Sequence, residues 1–141
     1  MKKTLLALTL AVIVMPVFAA DGPYVPTDAE RARWTMQDMN SWKICFAAYK
    51  QDHGKYPEVK SASEAKAAFE PVYISHLPLT DAWGRAYAVE SGADVFTVAS
   101  AGADGNFDRK SWSTPDGALP FDADAVASNE GRWLVRRWNQ R

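Results

Sequence analysis

A stripe of apolar side chains closed at both ends by capping signals is the strongest constraint in this chain. Thr27 followed by Glu30 forms a capping box: the threonine oxygen accepts an orphan amide of the first turn, and the glutamate reaches back to the threonine amide. From there Thr35, Met39, Trp42, Phe46 and Tyr49 recur at steps of four and three, while Arg31, Arg33, Asp38, Lys43 and Lys50 fall elsewhere. Gly54 can take the left-handed conformation that ends a helix after Asp52-His53, and Pro57 prevents its resumption. The spacing predicts a helix of about 25 residues whose stripe must face a core.

The rest of that core has to come from one domain of ordinary composition. The 141 residues are 48% hydrophobic and 23% charged, a globular balance. Sixteen basic against 17 acidic side chains give a formal net charge of -1, which leaves no electrostatic footprint for nucleic acid. Lys2 and Lys3, a largely apolar run from Leu5 to Val17 and then Phe18-Ala19-Ala20 read as a secretory signal peptide cleaved near Ala19 or Ala20. The run contains Pro16 and is short for a membrane span, so no mature span is expected. The chain is expected to divide into a signal peptide at 1–20, a leader at 21–26 and a globular domain at 27–141, periplasmic or secreted. Cys45 is the one cysteine, which excludes an internal disulfide, and it follows no cleavage site for lipidation. Packing or a metal ion must stabilise the fold.

Ser61 with Glu64 repeats the capping pattern, and Ala65, Ala68 and Phe69 give a small apolar face before Pro71, so a second, short helix is expected. Pro71, Pro78 and the Asp81-Ala82-Trp83-Gly84 turn exclude long regular structure between 71 and 84, with Val72-Tyr73-Ile74 expected to be buried. A hairpin is expected from Arg85–Glu90 and Asp94–Ser100, joined by Ser91-Gly92-Ala93. Residues 101–125 then hold five aspartates and five glycine or proline positions with little periodicity. A loop of this length in a compact domain is either functional or ordered by something other than apolar burial. The tail, with Trp133, Val135 and Trp138 among Arg132, Arg136, Arg137 and Arg141, suits a last strand or short helix.

Little in the chain offers catalysis. His53 falls at a helix end, where a cation suits the carbonyl end of the dipole, and His76 stands apart from it. Cys45 lies beside the apolar stripe with no evident cationic group to lower its pKa. Two histidines and one cysteine without paired spacing make no zinc motif. No spacing selects a carboxylate pair for hydrolysis. The acidic loop differs: Asp104, Asn106 and Asp108 alternate and can turn hard oxygens toward one point, which suits calcium. It is no EF-hand, because Arg109 takes the glycine position and Pro115 that of the bidentate glutamate. Asp122 and Asp124 at the far end could close the shell, although a solvated acidic loop would have the same composition.

Three separated motifs carry a family resemblance. They are Tyr49-Lys50-Gln51-Asp52-His53-Gly54-Lys55-Tyr56-Pro57, then Leu77-Pro78-Leu79-Thr80-Asp81-Ala82-Trp83-Gly84-Arg85-Ala86-Tyr87, then Ala101-Gly102-Ala103-Asp104-Gly105. In order and spacing they resemble the soluble domain of the major pseudopilin of type II secretion systems. The resemblance implies an α+β fold, a long N-terminal helix packed on a small antiparallel sheet, with a long calcium-binding loop. It implies that the loop holds Ca2+ through Asp104, Asp122 and Asp124 with the carbonyl of Ser100 or Gly102, and that the ion orders the loop for assembly of a short periplasmic fibre. The start of the chain departs from that family's pattern: in place of a short basic leader ending in glycine and a long apolar helix stand an ordinary signal sequence and a polar helix.

The expected function is therefore an exported, non-enzymatic, pseudopilin-like protein related to protein secretion, whose partners are other envelope proteins or pseudopilin subunits. Two other classes remain open. A free-standing periplasmic binding or inhibitor module would present Trp112, Trp133 and Trp138 with their arginines. A small hydrolase would need two carboxylates facing a cleft.

Overall fold

The computed structural model describes residues 22–107 and 124–129. The signal peptide, Asp108, Trp112, Asp122 and the tail with Trp133 and Trp138 lie outside the described residues. Helix α1 runs Asp28–His53. Both halves of its capping box form: Glu30 N–H donates to Thr27 Oγ1 at 3.3 Å and Thr27 N–H to Glu30 Oε2 at 2.9 Å. Gly54, at φ +73°, ends it by donating its N–H to the Lys50 carbonyl at 2.8 Å. The stripe faces the core as its spacing requires, with Thr35, Met39, Trp42 and Phe46 buried and Tyr49 packed at its edge. Ala32 and Cys45 join it.

Helix α2, Ala62–Phe69, starts where Glu64 N–H donates to Ser61 Oγ, and Glu64 in turn accepts from Lys60 N–H. Ala65 and Phe69 are fully buried. The turn after α2 corrects one expectation. Tyr73 N–H donates to the Phe69 carbonyl and its hydroxyl to Asp52, which aims Tyr73 and Ile74 at the core and leaves Val72 75% exposed.

Three antiparallel strands come next, in the order β1 (Ala88–Ser91), β2 (Phe96–Ser100), β3 (Ala125–Ser128). Strand β1 begins three residues later than its sequence pattern suggests. Arg85–Tyr87 are drawn the other way, with Thr80 bridging Ala86 and Tyr87 N–H donating to the Leu79 carbonyl. The hairpin turn is also longer than Ser91-Gly92-Ala93, since Ser91 pairs with Phe96 and Gly92 N–H donates to the Val95 carbonyl. Strand β3 comes from a segment that the sequence marks only as the far end of the acidic loop. Its pairing, from Thr97 with Ser128 to Ser100 with Ala125, returns that end to the last residue of β2.

Val89, Phe96, Val98, Ala125 and Ala127 form the sheet's contribution to the core beneath α1. Phe46 is its centre: its ring stacks on Phe96 at 4.3 Å and meets Phe69 edge-on at 4.9 Å. Full burial of such a side chain contributes about 1.5–3 kcal/mol, and each good ring pair about 0.5–1.5 kcal/mol more.

Candidate functional site

The site lies on the seam where the segment Pro78–Tyr87 meets the start of the acidic loop. Helix α1 holds that segment by polar contacts. Trp42 Nε1 donates to the Pro78 carbonyl at 3.0 Å, Ala82 N–H to Thr35 Oγ1 at 3.0 Å, and Trp83 Nε1 to Asp28 Oδ1 at 3.0 Å. Thr35 is fully buried, so its hydroxyl serves as the acceptor for an amide that would otherwise be orphaned. The Tyr87 hydroxyl reaches the Thr35 carbonyl at 3.4 Å and Asp38 Oδ2 at 3.5 Å. Burial, then the charges of Asp38 and Asp81, push the Tyr87 phenol far up, so it stays a donor. Burial also raises the Asp38 carboxyl, helped by the Asp81 charge and opposed by the Tyr87 hydrogen bond.

Asp81 is the organising residue. Although only 4% exposed, its Oδ1 accepts from Trp83 N–H and Arg85 N–H, both at 3.0 Å, and its Oδ2 from Ser100 Oγ at 2.6 Å. A buried carboxylate is tolerated only when its oxygens are satisfied in this way. Ser100 Oγ then accepts the Gly102 N–H at 3.2 Å. Arg85 adds a second link, with Nη1 donating to the Gly102 carbonyl at 2.8 Å and Nη2 to the Ala103 carbonyl at 3.1 Å.

The expected calcium ligands distribute unevenly around this seam. Ser100 and Gly102 are buried in it. Asp124, only 1% exposed, immediately precedes Ala125, whose partner is Ser100, so the two ends of the loop do meet. Asp104 is exposed beyond the seam, its Oδ1 accepting from Asn106 N–H at 2.8 Å. Asp122 lies outside the described residues. Among the described residues no three His, Cys, Asp or Glu side chains gather at one point. In kind, the donors fit a hard cation: carboxylates and carbonyls, one of the carboxylates deeply buried at the junction of the loop ends. The Gly102 carbonyl, however, already faces a guanidinium.

Sequence reasoning missed Asp81 and Arg85 as the organisers of this seam. Asp81 had a local signal, since an aspartate at a turn commonly accepts amides a few residues on. Arg85 had none, because its acceptors lie 17 and 18 residues downstream. Cys45 is 1% exposed and burial pushes its thiol up, and His53 stacks on Tyr49 at 4.1 Å. An open groove of about 880 Å³ runs beside the β1 edge, lined by Lys60, Ser61, Ser63, Val89, Glu90 and Thr97 among others, with Glu90 the one acidic side chain among the described residues that line it.

A long capped helix on a three-stranded antiparallel sheet, with a polar seam tying an Asp-x-Trp-Gly-Arg turn to a glycine-rich loop, defines an α+β domain of the pseudopilin class. The family model described as "Type II secretion system (T2SS), protein G" matches residues 24–113, and the chain belongs to this family, that of the major pseudopilin. A search of curated proteins gives no match.

Proposed function

We propose that this protein is an exported, non-enzymatic member of the pseudopilin family that acts by docking with other envelope components of a type II secretion apparatus, pseudopilin subunits among them. The observation that carries the reading is the family match over residues 24–113, together with a fold whose buried polar groups are spent on shaping a loop. Among the described residues no helix is long and apolar enough to cross a membrane, and the reading assigns docking to the surface of the folded domain. Export is inferred from the signal-like Lys2 to Ala20 segment.

The loop is read as calcium-stabilised. Asp104, Asp122 and Asp124, with the Ser100 carbonyl, would hold the ion, which would neutralise the carboxylates and tie the loop's two ends. Binding to the folded state alone stabilises it by about 2.7 kcal/mol at one hundred times the dissociation constant.

Cross-linking the tagged protein in its own cells and identifying the captured proteins by mass spectrometry tests the docking reading. Secretion-system pseudopilins among the cross-linked partners are the expected result. Capture of envelope proteins without any secretion component would favour the free-standing binding module instead.

A further inference from the structure

We propose that Arg85 is the resident cation of the loop, holding residues 101–105 in shape without a metal ion. Both polar backbone groups of Gly102 end on one turn: its N–H reaches Asp81 through Ser100 Oγ, and its carbonyl accepts from Arg85 Nη1. The arginine is held at both ends: its backbone N–H donates to Asp81 Oδ1, and the second guanidinium nitrogen, Nη2, donates to the Ala103 carbonyl. A planar fork can bind two adjacent carbonyls in this way, whereas an ammonium binds as a single point charge.

Gly105 completes the arrangement. It sits at φ +75°, and a Cβ there would fall 2.7 Å from Arg85 Cζ and 2.9 Å from Nη2. The absent side chain is the space the guanidinium occupies. Two glycines at positive φ, Gly102 and Gly105, thus fold the backbone around one arginine.

The latch also limits how calcium could bind, a step that rests on the calcium reading while the latch itself does not. A divalent ion drawing on the Gly102 carbonyl would share that oxygen with a positive charge 2.8 Å away. An ion bound at this loop would therefore draw on oxygens other than the Gly102 carbonyl.

Amide hydrogen exchange on the full mature chain, in chelator and in calcium, tests this. The wild-type Gly102 amide is expected to be protected to the same degree in both. In chelator, Arg85→Gln and Gly105→Ala are expected to speed exchange across 101–105 by roughly tenfold or more while α1 amides stay protected, with Arg85→Lys intermediate. Unprotected exchange at Gly102 in chelator-treated wild type would overturn the latch, as would wild-type exchange rates for Arg85→Gln in chelator. If either variant fails to fold, the chelator-treated wild type alone decides. A loop protected at 101–105 in a protein whose melting ignores calcium would remove the calcium reading and leave the latch standing.

Discussion

Ser100 Oγ donates to Asp81 Oδ2 at 2.6 Å inside a seam where both residues are buried. That bond joins the turn before the hairpin to the end of the hairpin's second strand. Ser100→Ala removes one donor from a buried carboxylate and one acceptor from Gly102 N–H, and is expected to cost about 2 kcal/mol in urea unfolding. Asp81→Ala orphans Trp83 N–H, Arg85 N–H and the serine together, and is expected to cost about 3–5 kcal/mol. The double mutant should cost less than the sum by about 1–2 kcal/mol, and strict additivity would show that the two residues act separately.

Thr35→Val keeps shape but leaves the Ala82 amide without its acceptor. A loss of about 1–3 kcal/mol is expected, with α1 itself intact by circular dichroism. Phe46→Ala, which empties the centre of the ring cluster, is expected to cost about 3–5 kcal/mol.

Asp38 titrates with the opposite sign from an ordinary surface acid. Its folded-state pKa is raised, chiefly by burial, so the folded protein binds the proton more tightly than the unfolded chain. Stability should therefore fall as pH rises from the normal carboxylate range through the raised value. Asp38→Asn is expected to be more stable than wild type at pH 7 and to lose that advantage at pH 3. Parallel unfolding curves at the two pH values would contradict this.

Glu30 behaves conversely. The Tyr24 hydroxyl and the Thr27 capping contacts hold its carboxyl down to about 2. Its contribution is present above the unfolded pKa and is lost as pH falls from about 4.3 toward 2. Glu30→Gln should flatten that part of the stability profile, read by fluorescence-monitored denaturation.

The long helix was legible because everything that fixes it is local: a capping box, a glycine stop and a stripe at helical spacing. The same holds for α2 and for the existence of the hairpin. Strand β3 was not legible, since Ala125-Val126-Ala127-Ser128 has no marked alternation and gains its partner only by returning to β2 across the acidic loop. The exposure of Val72 is not legible, because a three-residue apolar run does not reveal which member a turn points outward. At the candidate site the donors Asp104, Asp122 and Asp124, with the carbonyl of Ser100 or Gly102, come from the family resemblance, and the structure brings Ser100 and Asp124 together where the loop ends meet while Asp104 stands exposed beyond the seam. The arginine that competes for one of those oxygens was not legible, because nothing in a sequence links residue 85 to the carbonyls of 102 and 103.

Calcium-dependent melting of the protein tests the central functional claim most directly. In excess calcium the melting temperature is expected to rise by roughly 10 °C over chelator, and Asp104→Ala should abolish the gain. Identical melting in calcium and in chelator would contradict an ion-stabilised loop.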